Sequence, residues 1–300
     1  MTVPIPANAV VYRTTVDDPR TSTVLAIAPN GRCLLLAGSN RGQRSLPVGR
    51  FQGSAPPGLM TGLRQRLFSE AFRQSATLDT VAPDEACRMI TIPGEESAPT
   101  AKLACNRAAS REFLAVEDIF TSLIEHLRQF PATVLLAEIA HSSNQGTPRL
   151  VASGPKLAIV LKLRNPGPVP VLVPSPEKWG RTEGYAELSI MRAGGTGKAQ
   201  GAGKAQVQGI GMQWFASCDT KSILRFQPRS VRGLVPVMPG GSLEIDLEPA
   251  FNCPEGRYIV DLTVALNLYD GDRIHQMAVV ASPPQFNIDF AGLKPHEQDR

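Results

Sequence analysis

The sequence predicts an α+β N-terminal domain followed by an all-β domain, and three observations lead to this prediction. Hydrophobic residues make up 42% of the 300-residue chain and charged residues 19%, which is enough apolar surface for a packed core. Two segments before residue 131 have the apolar spacing of amphipathic helices. Beyond residue 150, short alternating runs separated by turns remain, a pattern typical of a β-sandwich.

The N-terminal domain, residues 1–149, has the predicted order β-β-β-α-β-β-α-β with a mainly antiparallel sheet. Asn30-Gly31 is the strongest short hairpin signal, so segments 23–28 and 32–37 are expected to pair. The following segment, 38–58, is rich in turn residues and is expected to be a long loop. The other predicted strands lie at 9–16, 87–91, 101–105 and 132–139.

Two helices are predicted in this domain. The first begins at a proline pair in segment 56–74, and its apolar stripe consists of Leu59, Leu63, Leu67 and Ala71. The second lies within 110–130, with Ser110 able to cap its start and Pro131 following its end. Its apolar stripe consists of Phe113, Val116, Phe120, Leu123 and Leu127.

The five cysteines suggest two disulfides and one free thiol. In a hairpin whose turn is centred on Glu96, Cys87 faces Cys105 directly, within reach of a disulfide. Cys218 and Cys253 form a second candidate pair, which would hold the segment before Tyr258 against the strand around Trp214. Cys33, in an apolar run, is expected to be buried and unpaired. The alternative is that all five cysteines are reduced, buried thiols.

The C-terminal domain, residues 150–300, contains seven or more short strand-like runs. The stretch PGGSLEIDLEPAFNCPEGRYIVDLTV has an alternating strand, a corner and a second strand that begins near Tyr258. This pattern resembles the E–F corner of immunoglobulin-like domains over roughly residues 155–290. The resemblance implies an immunoglobulin-like sandwich in which the hydroxyl of Tyr258 bonds back to the corner backbone. The register of the last hairpin, around Asp270-Gly271, stays open between a two-residue and a three-residue loop.

The charge pattern indicates a site for an anionic partner. Between Asp18 and Glu70 there is no acidic residue, and every basic residue there is an arginine. These are Arg20, Arg32, Arg41, Arg44, Arg50, Arg64 and Arg66. We expect Arg41, Arg44 and Arg50, in the predicted loop, to bind a protein with an acidic surface. The alternative is that these arginines form a solvated face whose charge is neutralised by acidic residues from elsewhere in the fold.

Several functions are disfavoured by the sequence. The balance of charges over the two halves does not suggest a nucleic-acid binder, and no apolar run is long enough to span a membrane. The four histidines have no nearby cysteine or histidine partner, so we expect neither a metal nor a cofactor. In GGTGKAQGAGKAQ each Gly-Lys is followed by alanine, which does not fit a phosphate loop.

These observations favour a protein-binding protein that is not an enzyme. The two candidate disulfides favour an oxidising compartment, so we expect a periplasmic or other extracytoplasmic location. The N-terminus does not have the pattern of a signal peptide. The preferred hypothesis is a bacterial immunity protein that inhibits a secreted toxin. The alternatives are an accessory or chaperone-like subunit of a secretion or surface machine, and an enzyme with a non-local active site.

Overall fold

The computed structural model describes most of the N-terminal half and the main strands of the C-terminal half. The described residues are 8–15, 23–38, 46–77, 87–94, 99–105, 109–141, 150–151, 154–155, 159–175, 184–192, 215–217, 233–247, 250–252, 257–270, 273–281 and 286–289.

The described residues form 19 strands and three helices, and the strands pair mostly in antiparallel fashion. In chain order they are β1 Val10–Thr15, β2 Val24–Ile27, β3 Arg32–Ala37, β4 Val48–Ser54, α1 Pro57–Leu67, α2 Glu70–Gln74, β5 Cys87–Ile92, β6 Thr100–Cys105, α3 Arg111–Leu127, β7 Pro131–His141, β8 Leu150–Val151, β9 Gly154–Pro155, β10 Ile159–Arg164, β11 Val171–Pro174, β12 Gly184–Arg192, β13 Phe215–Ser217, β14 Leu234–Val237, β15 Ser242–Leu247, β16 Ala250–Asn252, β17 Arg257–Asp270, β18 Arg273–Ala281 and β19 Phe286–Asp289.

The largest sheet has nine strands in the order β15-β10-β7-β4-β3-β2-β1-β5-β6. The long strand β7 connects its two parts, because residues 131–135 pair with β4 and residues 136–141 pair with β10. Strands β10 and β15 come from beyond residue 150, so backbone pairing crosses the boundary expected there. The division of the chain at that residue stays a prediction.

The helices cover one face of the N-terminal strands and enclose the main core. In α3 the five residues of the predicted stripe are all buried, and the hydroxyl of Ser110 accepts a hydrogen bond from the amide of Phe113. The prediction for this helix is therefore confirmed. None of the three helices in the described ranges has both the length and the apolar character that crossing a membrane requires.

The first predicted helix is in fact two helices with a corner between them. Helix α1 ends at Leu67, and Ser69 begins α2 by accepting a hydrogen bond from the amide of Phe72. The corner changes the direction of the chain, so Phe72 enters the core and Ala71 is exposed. The place of Ala71 in the apolar stripe was therefore predicted wrongly, since the four-residue spacing assumed one continuous helix.

The hairpin at Asn30-Gly31 is confirmed, and strands β2 and β3 pair as expected. The amide of Gly31 donates to the carbonyl of Ala28, and the amide of Ala28 donates to the carbonyl of Arg32. Gly31 has φ of 81°, which a residue with a side chain rarely adopts. The connection is therefore a three-residue turn in which glycine occupies the left-handed position.

The expected loop at 38–58 is wrong for residues 48–54, which form β4 between β3 and β7. Val48 and Phe51 are fully buried on this strand. Gly49 has φ of 121°, and a Cβ there would collide with the carbonyl oxygen of Thr133. Two glycines weaken the local strand signal, and pairing on both sides overrides it.

The cysteine hairpin has the predicted register. Strands β5 and β6 pair with Cys87 opposite Cys105, and the two residues form a disulfide with their Cα atoms 4.1 Å apart. Cys33 is buried and free, as predicted. Cys218 and Cys253 lie outside the described residues, so their pairing stays a prediction.

A second sheet contains β12-β17-β11-β14, with β18 and β19 also paired to β17. Every residue from Val264 to Tyr269 is buried, so this part of β17 is covered on both faces. The last hairpin has neither of the two registers considered, because Asp270 pairs with Arg273. Two irregularities in the pairing of β17 with β18 shift the register further along these strands. Tyr258 lies in β17 as expected, but its side chain is outside the described part.

Candidate functional site

A groove opens at the end of the large sheet where β1 and β6 begin and β2 and β5 end. It has a volume of about 890 Å³, within the range of ligand-binding clefts. Its walls come from residues within segments 8–10, 27–29, 60–73, 92–94 and 100–102. We call this feature the basic groove.

The floor of the basic groove is apolar because it is the outer edge of the main core. Leu63, Leu67 and Phe72 are buried members of that core and also line the groove. Val10 and Met60 are only partly buried and pack against the core from the groove side. Covering these two side chains with a ligand would remove further apolar surface from water.

Among the described residues, three cationic side chains line the groove: Arg64, Arg73 and Lys102. The described lining residues include no aspartate or glutamate, and none of the three cations forms an ion pair with a described residue. Arg64 and Arg73 lie in the last turns of α1 and α2, where the helix dipole favours positive charge. The helix ends therefore favour these two positive charges, and no carboxylate in the described ranges pairs with either of them.

Lys102 is held in place by the end of α2. Its ammonium donates hydrogen bonds to the carbonyl oxygens of Arg73 at 2.8 Å and Ser75 at 2.6 Å, and the residue is only 7% exposed. These bonds compensate the burial of the charge and tie β6 to α2. Lys102 is thus mainly a structural cation that adds positive potential to the groove.

Arg64 also joins two walls of the groove. Its Nη2 atom donates to the carbonyl oxygen of Pro29 at 2.8 Å, which links α1 to the turn between β2 and β3. A guanidinium has five N–H donors, so this bond leaves others for a ligand. Arg64 is therefore both exposed and positioned, as a residue that binds a carboxylate needs to be.

The corner between α1 and α2 places an aromatic ring at the rim. Phe68 is 51% exposed, and the guanidinium carbon of Arg73 lies 5.9 Å from its ring centroid. The hydroxyl of Ser69 donates to the carbonyl of Arg66, which helps to fix the corner. Phenylalanine and arginine are both enriched at protein–protein interfaces.

A second polar cluster lies between α3 and the sheet. The hydroxyl of buried Tyr12 donates to Glu117 at 2.6 Å, and Arg88 contacts the same carboxylate oxygen at 2.7 Å. Burial raises the pKa of Tyr12 well above its usual value, and Glu117 raises this pKa further. Tyr12 also stacks on Phe120. A tyrosine held neutral in this way connects elements of the fold and is a poor nucleophile.

The predicted partner-binding arginines are not part of the basic groove in the described structure. Arg41 and Arg44 lie outside the described residues. Arg50 lies within β4, half-buried, opposite Leu36 on one side and Thr133 on the other. Its role in binding stays a prediction.

Arg64, the arginine that does line the groove, lies between Asp18 and Glu70, in the segment without acidic residues that we call the acid-free window. The absence of acidic residues from this segment was the sequence signal that could have indicated Arg64. Arg73 and Lys102 lie after Glu70 in the chain, so only folding brings them beside Arg64. Among the described residues, no three histidine, cysteine or acidic side chains come together as metal ligands would.

Comparisons with known proteins add little to this picture. Neither a protein-family model nor a curated protein matches the chain. The X-ray structure of Northeast Structural Genomics Consortium target SoR45 aligns with 55% of this chain and 92% of its own at 12% sequence identity, with a TM-score of 0.26. A similarity of this size supports no argument about fold or function.

Proposed function

We propose that this chain is a non-enzymatic protein-binding protein whose partner presents an acidic surface. The observation that supports the proposal best is the basic groove, which combines an apolar floor with Arg64, Arg73 and Lys102 and has no carboxylate among those of its lining residues that the structure describes. Apolar area supplies affinity, and uncompensated charge supplies orientation and rapid association. A single groove with both properties suits a protein partner.

The setting we propose is extracytoplasmic, and the role is that of an immunity protein that inhibits a secreted bacterial toxin. The disulfide between Cys87 and Cys105 supports this setting because such bonds persist mainly in oxidising compartments. An inhibitor needs a stable surface of complementary charge and no catalytic groups of its own. The cations of the groove supply a surface of complementary charge.

We also propose that the C-terminal strands form an immunoglobulin-like sandwich with Tyr258 at its corner. Two features support this: β17 is the central strand of its sheet, and it pairs with four other strands. Tyr258→Phe should lower the free energy of unfolding by about 1 kcal/mol through loss of one hydrogen bond. Because the proposed corner position would bury the ring, Tyr258→Ala should lower it by roughly 3–5 kcal/mol. Urea unfolding that shows no effect of Tyr258→Ala would contradict the corner assignment.

Partner capture tests the binding function directly. The purified full chain would be immobilised and exposed to extracytoplasmic proteins of the source organism at low and at high salt. We expect an acidic protein to be retained at low salt and released as salt screens the charges. Failure to retain any protein in a salt-dependent manner would contradict the proposed function.

A further inference from the structure

We propose that the basic groove recognises an acidic–apolar segment of the partner chain, in which a carboxylate lies next to a large apolar side chain. This inference rests on the proposed function and identifies which part of the partner is bound. The carboxylate would contact Arg64 and Arg73, and the apolar side chain would cover Met60 and Val10 on the floor.

The two arginines favour a carboxylate over other groups. A guanidinium binds a carboxylate through two parallel N–H donors, which gives orientation as well as attraction. Both side chains are exposed, and among the described residues neither has an acidic partner. Arg64 is anchored to Pro29, so part of the entropy cost of ordering it is already met in the free protein.

The apolar part of the ligand follows from the side chains around these charges. Met60 and Val10 are partly buried on the floor, and Phe68 stands at the rim with half of its surface exposed. Methionine adapts to ligands of different shape, and an aromatic ring supplies a large contact area. A leucine, methionine or phenylalanine beside the carboxylate would fit this surface.

An extended protein segment fits the shape of the groove better than an enclosed small molecule. The rim includes exposed residues of three separate elements: Pro29 at the β2–β3 turn, Phe68 at the helix corner and Thr100 at the start of β6. A ligand held between these three residues remains exposed to water on one side. A peptide segment that crosses the groove fits this geometry, because the rest of the partner chain has to continue outside the groove.

Peptide selection provides the test. A phage-displayed library of random heptapeptides would be panned on the full chain, and the enriched peptides measured by fluorescence polarisation. We expect aspartate or glutamate adjacent to leucine, methionine or phenylalanine among the enriched sequences. Replacing the acid of the best peptide by its amide should weaken binding about tenfold or more, as loss of a hot-spot contact does.

Matched variants locate the binding site. Arg64→Gln with Arg73→Gln should weaken binding about tenfold or more, whereas Arg66→Gln, an exposed arginine of the same helix that does not line the groove, should change it less than about twofold. Phe68→Ser should weaken binding, whereas Leu114→Ser, which removes a side chain that is 44% exposed on α3, should not. Circular dichroism would confirm that each variant is folded.

Three results would overturn the inference. The first is enrichment of peptides without acids, and the second is equal binding to the wild type and the Arg64→Gln/Arg73→Gln variant. The third is the absence of any selected peptide together with Arg64-dependent binding of oleate, which would make the groove a lipid site. If the partner is still captured in a salt-dependent manner by the double variant, protein binding stands and only the groove assignment fails.

Discussion

Cys87 and Cys105 lie directly opposite each other in the β5–β6 hairpin, and a disulfide joins them. Strand β6 is at the end of the nine-stranded sheet, so among the described strands it has a partner on one side only. The two strands also supply Ile92, Thr100 and Lys102 to the basic groove. The disulfide therefore secures an edge hairpin on which the candidate site depends.

Removal of this disulfide should destabilise the protein. The two cysteines are 18 residues apart, and the chain-entropy estimate for a loop of this size is about 3 kcal/mol. Urea unfolding should show a loss of at least this size when reductant is added to the wild type. Reductant should lower the stability of the Cys87→Ala/Cys105→Ala variant by about 3 kcal/mol less than that of the wild type, whether or not Cys218 and Cys253 also form a disulfide. A wild type that is indifferent to reductant would show that the bond does not form or does not stabilise.

Gly49 should be intolerant of a side chain. Its φ of 121° is unfavourable for any other residue, and a Cβ at this position would collide with the Thr133 carbonyl oxygen. We expect Gly49→Ala to lower the free energy of unfolding by at least about 2 kcal/mol through strain and overpacking. Gly58→Ala is the matched control, because a Cβ in α1 at that position would meet nothing within 4 Å. Thermal unfolding in which both variants behave alike would mean that β4 does not pair with β7 as described.

Cys33 should affect stability at high pH. Burial raises the pKa of this thiol from 9.0 to about 11. Above pH 9 the unfolded chain loses the proton while the folded protein keeps it, so this residue lowers the free energy of unfolding as pH rises towards 11. We expect the difference in stability between wild type and Cys33→Ala to shift against the wild type over this range. A pH-independent difference in urea unfolding would show that the fold does not raise the pKa of this thiol.

Alkylation gives a second measurement on the same residue. At pH 8, iodoacetamide should leave Cys33 unmodified in the folded protein, because little thiolate is present and the side chain is buried. In denaturant the same peptide should be modified fully. Peptide mapping distinguishes this cysteine from Cys218 and Cys253.

Local patterns predicted the elements whose signals lie within one segment. The stripe of α3, its cap at Ser110 and the register of Cys87 against Cys105 depend on residues that are close in sequence. Strand β4 was missed because Gly49 and Gly53 weaken its pattern, and its place is decided by β3 and β7. The last hairpin was undecidable because both faces of β17 are buried.

The candidate site was less predictable than the fold. Arg64 belongs to the acid-free window, whereas the partner-binding role expected there for Arg41, Arg44 and Arg50 stays a prediction. The other groove residues, such as Arg73, Lys102 and Val10, lie in different segments and meet only through sheet pairing and the corner at Ser69. A site whose side chains come from several elements has no regular spacing in the sequence from which it could be predicted.

Site-specific photo-cross-linking tests the central claim, that the basic groove holds a protein partner. The photoreactive amino acid benzoylphenylalanine would replace Phe68 at the groove rim or, as the control, the similarly exposed Leu114 on α3. Irradiation with extracytoplasmic proteins of the source organism should give a covalent adduct with an acidic protein from position 68 and none from position 114. Adducts of equal yield from both positions, or none from position 68, would contradict the account.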